Sequence, residues 1–249
     1  MPKSLKLVYV LSCVDGSYIC VKAVGGLWKK QVMVIESVIG GCLKMKRFVI
    51  VINMCLIVSS MLFAGPFGLE FGWTYDEVVS ACGEPMFEVE ADPGVSGMLY
   101  EPESMPKRHQ SFDSYILFVD HEYGLVKIVA SEDFSYVSGY GYELVDEFDK
   151  LERQLSSVYG EGRRYDFLYP DSIWDRPSDF MMSLYFGDRS LATYWVFEDD
   201  VAPNGDELAC IAINVVVTSS DSATIDLTYE HPNFYVIQER SDAEDVSAL

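Results

Sequence analysis

The sequence predicts an α+β fold: two related modules, each one helix plus an antiparallel sheet, following an N-terminal signal or transmembrane segment. Three observations predict it. A helix opening after Thr74 and a longer amphipathic helix over 142–159 each end in a Gly-Glu exit, Gly83-Glu84 and Gly160-Glu161, and each is followed by strand-like runs. Those runs are separated by turn signals rather than by helices, which favours antiparallel pairing. The charge pattern also changes sign abruptly after Ala64, so two different kinds of polypeptide are joined there.

Of the chain's 18 basic and 39 acidic side chains, eight and two fall in residues 1–64, a net of +6; residues 65–249 keep ten and 37, a net of −27. At 49% hydrophobic and 14% aromatic, 249 residues can bury a substantial core. The overall charge of −21 excludes nucleic acid as a partner, since phosphate binding requires clustered Lys and Arg. The uncharged run Phe48 to Ala64 follows Lys44-Met45-Lys46-Arg47 and precedes Gly65-Pro66, the order of an export signal's basic, apolar and small-residue parts.

Such signals act at a chain's start, so translation is expected to begin at or near Met45, with residues 1–44 an upstream extension and not a domain. The alternative for that extension is a hairpin, because Lys6 to Val10 and Ser17 to Val21 flank the turn signal Val14-Asp15-Gly16. Leu62 stands where a small residue usually precedes the cut, which leaves retention as a membrane anchor open. Seventeen helical residues would span about 25 Å, just short of the roughly 30 Å hydrocarbon core. Cys55 lies inside the apolar run and not after small residues, which disfavours a lipoprotein.

The remainder is expected to form a first module over 65–135, a second over 136–240 and an acidic, frayed tail over 241–249. Thr74 and Glu77 form a capping box for a short helix that buries Val78 and Cys82, with Gly83 as its left-handed exit and Pro85 barring continuation. An irregular stretch, Asp92 to Pro106, leads to a hairpin of Tyr115–Val119 and Leu125–Val129. The second helix carries Leu144, Phe148, Leu151, Leu155 and Val158 on one stripe, with Asp146/Lys150 and Asp149/Arg153 as acid-first pairs on its wet face. Strands are then expected at Phe180–Phe186, Leu191–Phe197, Leu208–Val217 and Ala223–Tyr229, with Ile211–Val217 as the buried centre of a four-stranded meander.

The pattern Gly72-x-Thr-x-x-Glu-Val-x-x-x-x-Gly-x-Pro85 resembles the small exported α+β modules of outer-membrane assembly lipoproteins of the BamE/SmpA type and of β-lactamase-inhibitor-like domains. It covers about fourteen residues and follows largely from helix capping. Those lipoproteins carry a lipidated cysteine after the signal, which this chain lacks, so the resemblance implies no outer-membrane anchoring. Ala64-Gly-Pro-Phe-Gly-Leu69, with Trp174, Phe180-Met181-Met182 and Tyr229-Glu230, resembles a family of exported bacterial proteins of uncharacterised function. That resemblance spans most of the chain after the signal and implies no activity.

No catalytic, cofactor or metal site is assigned from the residues. His109, His121 and His231 are too far apart for zinc spacing. Ser104-Met-Pro-Lys107 matches S-x-x-K, but Pro106 disrupts the helix that would stack Ser104 on Lys107. Glu198 to Glu207 holds five acids around a turn, in a spacing unlike an EF-hand. Trp73, Trp174 and Trp195 offer either a binding platform or core filling. Cys82 and Cys210 offer one disulfide or two buried thiols.

The expectation is an exported protein of the periplasm or cell envelope that binds an envelope protein or peptide without catalysis or cofactor, touching a membrane only through residues 48–64 if they stay uncleaved. Two alternatives remain: a secreted hydrolase pairing carboxylates such as Asp166, Asp171 and Asp175, and a single-pass anchored protein bearing the same external domain. Oligomeric state is left open.

Overall fold

The computed structural model describes strands at 9–14, 17–24 and 27–29, and residues 65–90 and 97–247. The expected signal, 45–64, lies outside the described residues, and among those residues no helix is long and apolar enough to cross a membrane. The chain divides into two compact units, 1–61 and 62–249. In the first, β1 (Tyr9–Val14), β2 (Ser17–Val24) and β3 (Leu27–Lys29) pair antiparallel in that order. Val14 faces Ser17 and Val10 faces Val21, so the hairpin alternative describes the backbone on either side of Asp15-Gly16.

The second unit is α+β. It contains α1 (Tyr75–Cys82), β4 (Pro85–Glu90), β5 (Met98–Pro102), β6 (Ser114–Asp120), β7 (Gly124–Ser135), α2 (Tyr142–Tyr159), β8 (Arg163–Leu168), α3 (Phe180–Tyr185), β9 (Arg189–Val196), β10 (Cys210–Ser219), β11 (Ser222–Glu230) and α4 (Pro232–Ser247). The eight strands from β4 onward form one antiparallel sheet in the order β4-β5-β6-β7-β11-β10-β9-β8. Each of α1 and α2 is thus followed in sequence by four strands, and the two sets meet where β7 pairs with β11.

The helix ends follow local chemistry. The Thr74 side chain accepts from the Glu77 N–H while the Glu77 carboxylate accepts from the Thr74 N–H, and Gly83 takes φ 88° beyond the last turn. In α2, Leu144, Phe148, Leu151 and Leu155 are buried, together with Ile211 and Ile213 of β10 and Ile225 and Leu227 of β11, in one core. Val158, expected on that stripe, is half exposed. Lys150 bonds Glu147 one turn back at 2.6 Å, and Asp149 meets Arg164 of β8 at 2.7 Å. The wet face is therefore tied to the sheet as well as to itself.

Four expectations need correction. Phe180–Tyr185 is helix, with Phe186 as its C-cap, and not strand: six apolar residues around Ser183 have no decisive period, while Pro177 upstream and Gly187 (φ 74°) downstream bound a single short helical stretch. β4, β5 and β8 were not anticipated. β4 and β8 are the two edge strands of the sheet, and Pro85 faces Pro102 where β4 meets β5, so pairing and not propensity defines them. Ile211–Val217 lies in β10, between β9 and β11 as the meander requires, but its inward side chains are fully buried only to Ile213, and the centre of the whole sheet is β7 and β11. Ser241–Ser247 is not an irregular tail but continues α4 as helix.

Candidate binding face

Strand pairing sorts side chains onto two faces, because neighbours across a ladder point the same way and successive residues alternate. One face carries Tyr100, Leu117, Ile128, Leu227, Ile213 and Thr193 beneath α1 and α2. The opposite face follows two rows across the sheet. Val89, Leu99, Phe118, Lys127, Glu230, Cys210 and Val196 form the first. Ile116, Val129, Thr228, Ala212, Tyr194 and Arg163 form the second.

Helix α4 covers part of the first row. Phe234 packs edge-on against Phe118 at 6.1 Å, the Lys127 ammonium sits 4.4 Å above the Phe234 ring, and Ile237 is buried with Phe118 and Val126. Arg240 reaches Glu122 at 3.1 Å and Asp120 at 3.7 Å, beside the β6–β7 turn. His231 starts this helix. Its Nδ1 accepts the Asn233 N–H at 3.2 Å, so a neutral imidazole acts as the N-cap, and Pro232 supplies the first helical residue. Burial holds the His231 pKa below the ordinary imidazole range.

Beyond the reach of α4 the face is open. Phe87, Val89, Leu99, Ile116, Tyr194, Val196 and Val216 are all exposed, Val196 at 71% and Phe87 at 59%. Among the described residues, Glu101, Asp133 and Asp226 share this face with one cation, Arg163, outside the Lys127–Glu230 pair (2.8 Å). Scattered exposed apolar residues are ordinary, but these seven share one face in two groups, Phe87, Val89, Leu99 and Ile116 on β4–β6 and Tyr194, Val196 and Val216 on β9–β10, with β7 and β11 between them.

A second feature is a cleft of about 400 Å³ at the start of α1. Gly72 N–H donates to Leu125 O at 2.9 Å and Leu125 N–H to Trp73 O at 2.7 Å, which docks the helix entry on the β6–β7 hairpin. Gly124 (φ 71°) permits this approach, since a Cβ there would strike the Gly72 and Trp73 carbonyls. Asp76, Glu88, Asp120 and Glu122 contribute to the lining, with no Lys or Arg among the lining residues. The Tyr75 hydroxyl donates to Glu88, and that bond, followed by burial, pushes its pKa up to about 12. Asp120 accepts the Glu122 and Tyr123 N–H groups at 2.8 and 2.9 Å, so its carboxylate shapes the turn.

The residues singled out by sequence do not converge. His109 accepts the Ser111 N–H at its Nδ1, and His121 is exposed in the β6–β7 turn. The Ser104 hydroxyl bonds Cys82 O at 3.1 Å in a loop, away from any Ser–Lys stacking. Asp166 is ion-paired with Arg189 at 3.2 Å and Arg164 at 3.4 Å, while Asp171 and Asp175 are exposed. Around Pro203 the acidic stretch closes a hairpin in which Asn204 and Asp206 bond each other. Trp195 is core, donating to Gly160 O at 2.8 Å; Trp73 packs at the core margin; Trp174 stacks on Phe186. Cys82 and Cys210 are free and buried, and burial pushes each thiol up to about 11. Among the described residues no three His, Cys, Asp or Glu side chains gather as a metal site.

The open face had a partial signal in the sequence. Met86-Phe-Glu-Val-Glu90 alternates apolar and acidic residues, and Tyr115–Val119 is apolar on both faces. Searches of protein-family models, curated proteins and solved structures return no match to this chain.

Proposed function

We propose that the chain is an exported cell-envelope module that binds a polypeptide partner on the open face of its eight-stranded sheet. The observation that carries this reading is the set of seven exposed apolar side chains that strand register assigns to that face. A partner of matching chemistry presents aliphatic or aromatic residues together with Lys or Arg, because the face carries Glu101, Asp133 and Asp226 and residues 65–249 hold a net −27.

Support for export comes from the basic, apolar and small-residue order ending at Ala64, with the charge reversal beyond it. Support for two related modules comes from the repeated order of a helix followed by four strands, interrupted in the second set by α3, the two sets meeting at β7 and β11. The resemblance at Gly72–Pro85 to small exported α+β modules agrees with both.

The binding test is a selection of displayed twelve-residue peptides on the immobilised full chain. The expected pool is rich in Lys or Arg beside apolar residues, and its members lose binding to a Phe87→Ser, Leu99→Ser, Val196→Ser triple variant that retains its urea midpoint. Peptides that bind wild type and variant equally overturn the assignment of the face. N-terminal sequencing of the native protein tests export, with a new terminus near Gly65 expected; an intact Met1 overturns it.

A further inference from the structure

Glu132 lies on β7 opposite Ile225 of β11, on the face that α2 covers. Its Oε2 is buried and has no hydrogen-bond partner. Three charged groups act on it. Glu147 and Lys150 stand on α2, and Asp113 lies just before β6. Lys150 does not act as a dedicated counter-ion, because its ammonium is held by both oxygens of Glu147 at 2.6 and 2.9 Å. Glu147 also accepts the Ser111 hydroxyl at 3.0 Å, and Asp113 accepts the Asp133 N–H at 2.9 Å. The neighbours of Glu132 thus have partners, whereas one of its own oxygens is closed off from solvent and takes no donor from the protein. A carboxylate so placed is expensive to ionise, while a neutral carboxyl is not.

We infer that the Glu132 carboxyl is a proton-operated latch between β7 and α2: protonated, it lets the second turn of the helix rest on the sheet; ionised, it repels Glu147 and loosens that turn. Burial first, then the negative charges of Glu147 and Asp113, raise the Glu132 pKa from 4.5 to about 7, and Lys150 opposes them. A carboxyl raised in the folded state contributes stability that is complete below its unfolded value and lost as pH rises through the folded one. The window runs from about 4.5 to about 7. The latch lies under α2, on the opposite side of the sheet from the proposed binding face, and does not depend on that reading.

The experiment is a series of urea titrations of the full chain from pH 5 to 8.5, with Glu132→Gln as the comparison. The wild-type midpoint should fall up to pH 7 relative to that of Glu132→Gln and keep a constant offset above it. Amide exchange, corrected for its intrinsic pH dependence, should lose at least tenfold protection over Glu147–Leu151 across this window in wild type and not in the variant. Parallel curves for the two proteins overturn the latch. Should Glu132→Gln fail to fold, the side-chain 13C titration of Glu132 in the wild-type chain decides: a midpoint near 7 supports the latch, and one near 4.5 overturns it.

Discussion

Strand β6 shows both sides of the sheet within five residues. Tyr115, Leu117 and Val119 point into the core beneath α1 and α2, and each is at most 5% exposed. On the reverse side, Phe118 is covered by Phe234 of α4, while Ile116, two residues away, is 44% exposed. Both belong to one apolar run, so composition does not separate them; the reach of α4 does. The α2 side buries a four-residue stripe over two strands, whereas the cluster under α4 has three fully buried members, Phe118, Val126 and Ile237. A helix held by so few apolar contacts opens locally at low free-energy cost, and a face left half-covered is available to a partner.

This contrast can be broken first at the covered side. Leu151→Ala, at the centre of the α2 stripe, should cost about 2 to 5 kcal/mol in urea denaturation, as truncation in a close-packed core does. Unchanged stability would mean that α2 is held otherwise than by this stripe. On the other side Ile237→Ala should release α4 alone, seen as lost amide protection over 233–243 with the main transition moved by less than about 1 kcal/mol. A global shift as large as that of Leu151→Ala would erase the distinction between the two sides.

Titration sharpens it. His231 has a lowered pKa, so the stability it contributes is present above its unfolded value near 6.5 and is lost as pH falls through the folded one, the reverse of Glu132. Protonation removes the Nδ1 acceptor that caps α4. Amide shifts of α4 should therefore change between pH 7 and 5 in wild type and stay constant in His231→Asn, whose side chain keeps a capping oxygen at either pH. Thr74→Ala at the α1 cap should cost about 1 kcal/mol. Val216→Ala on the open face should stay within about 0.5 kcal/mol, since an exposed side chain has little packing to lose.

Much of the fold was legible because it is local. The capping box at Thr74 and Glu77, the exits at Gly83 and Gly160, the α2 stripe and the β6–β7 hairpin each rest on residues a few positions apart, where helix period and turn chemistry act without help. Phe180–Phe186 failed because its six apolar residues around Ser183 fit either period. β4, β5 and β8 failed because their backbone hydrogen bonds depend on strands brought alongside, and Pro85 or Arg163-Arg164 make poor strand signals by themselves.

By itself, then, the sequence determined the α+β class, the positions of α1 and α2, the acidity of residues 65–249 and the joining of two unlike segments at Ala64. These follow from side-chain spacing and charge, which need no partner across space. Tertiary structure decided that eight strands form one sheet centred on β7 and β11, that α4 crosses only part of its reverse face, that one Glu132 oxygen is shut in on the side facing α2, and that His231 is buried at the start of α4. Burial and strand order are set by residues distant in the chain: whether Ile116 is core or surface depends on where a helix more than a hundred residues later comes to rest.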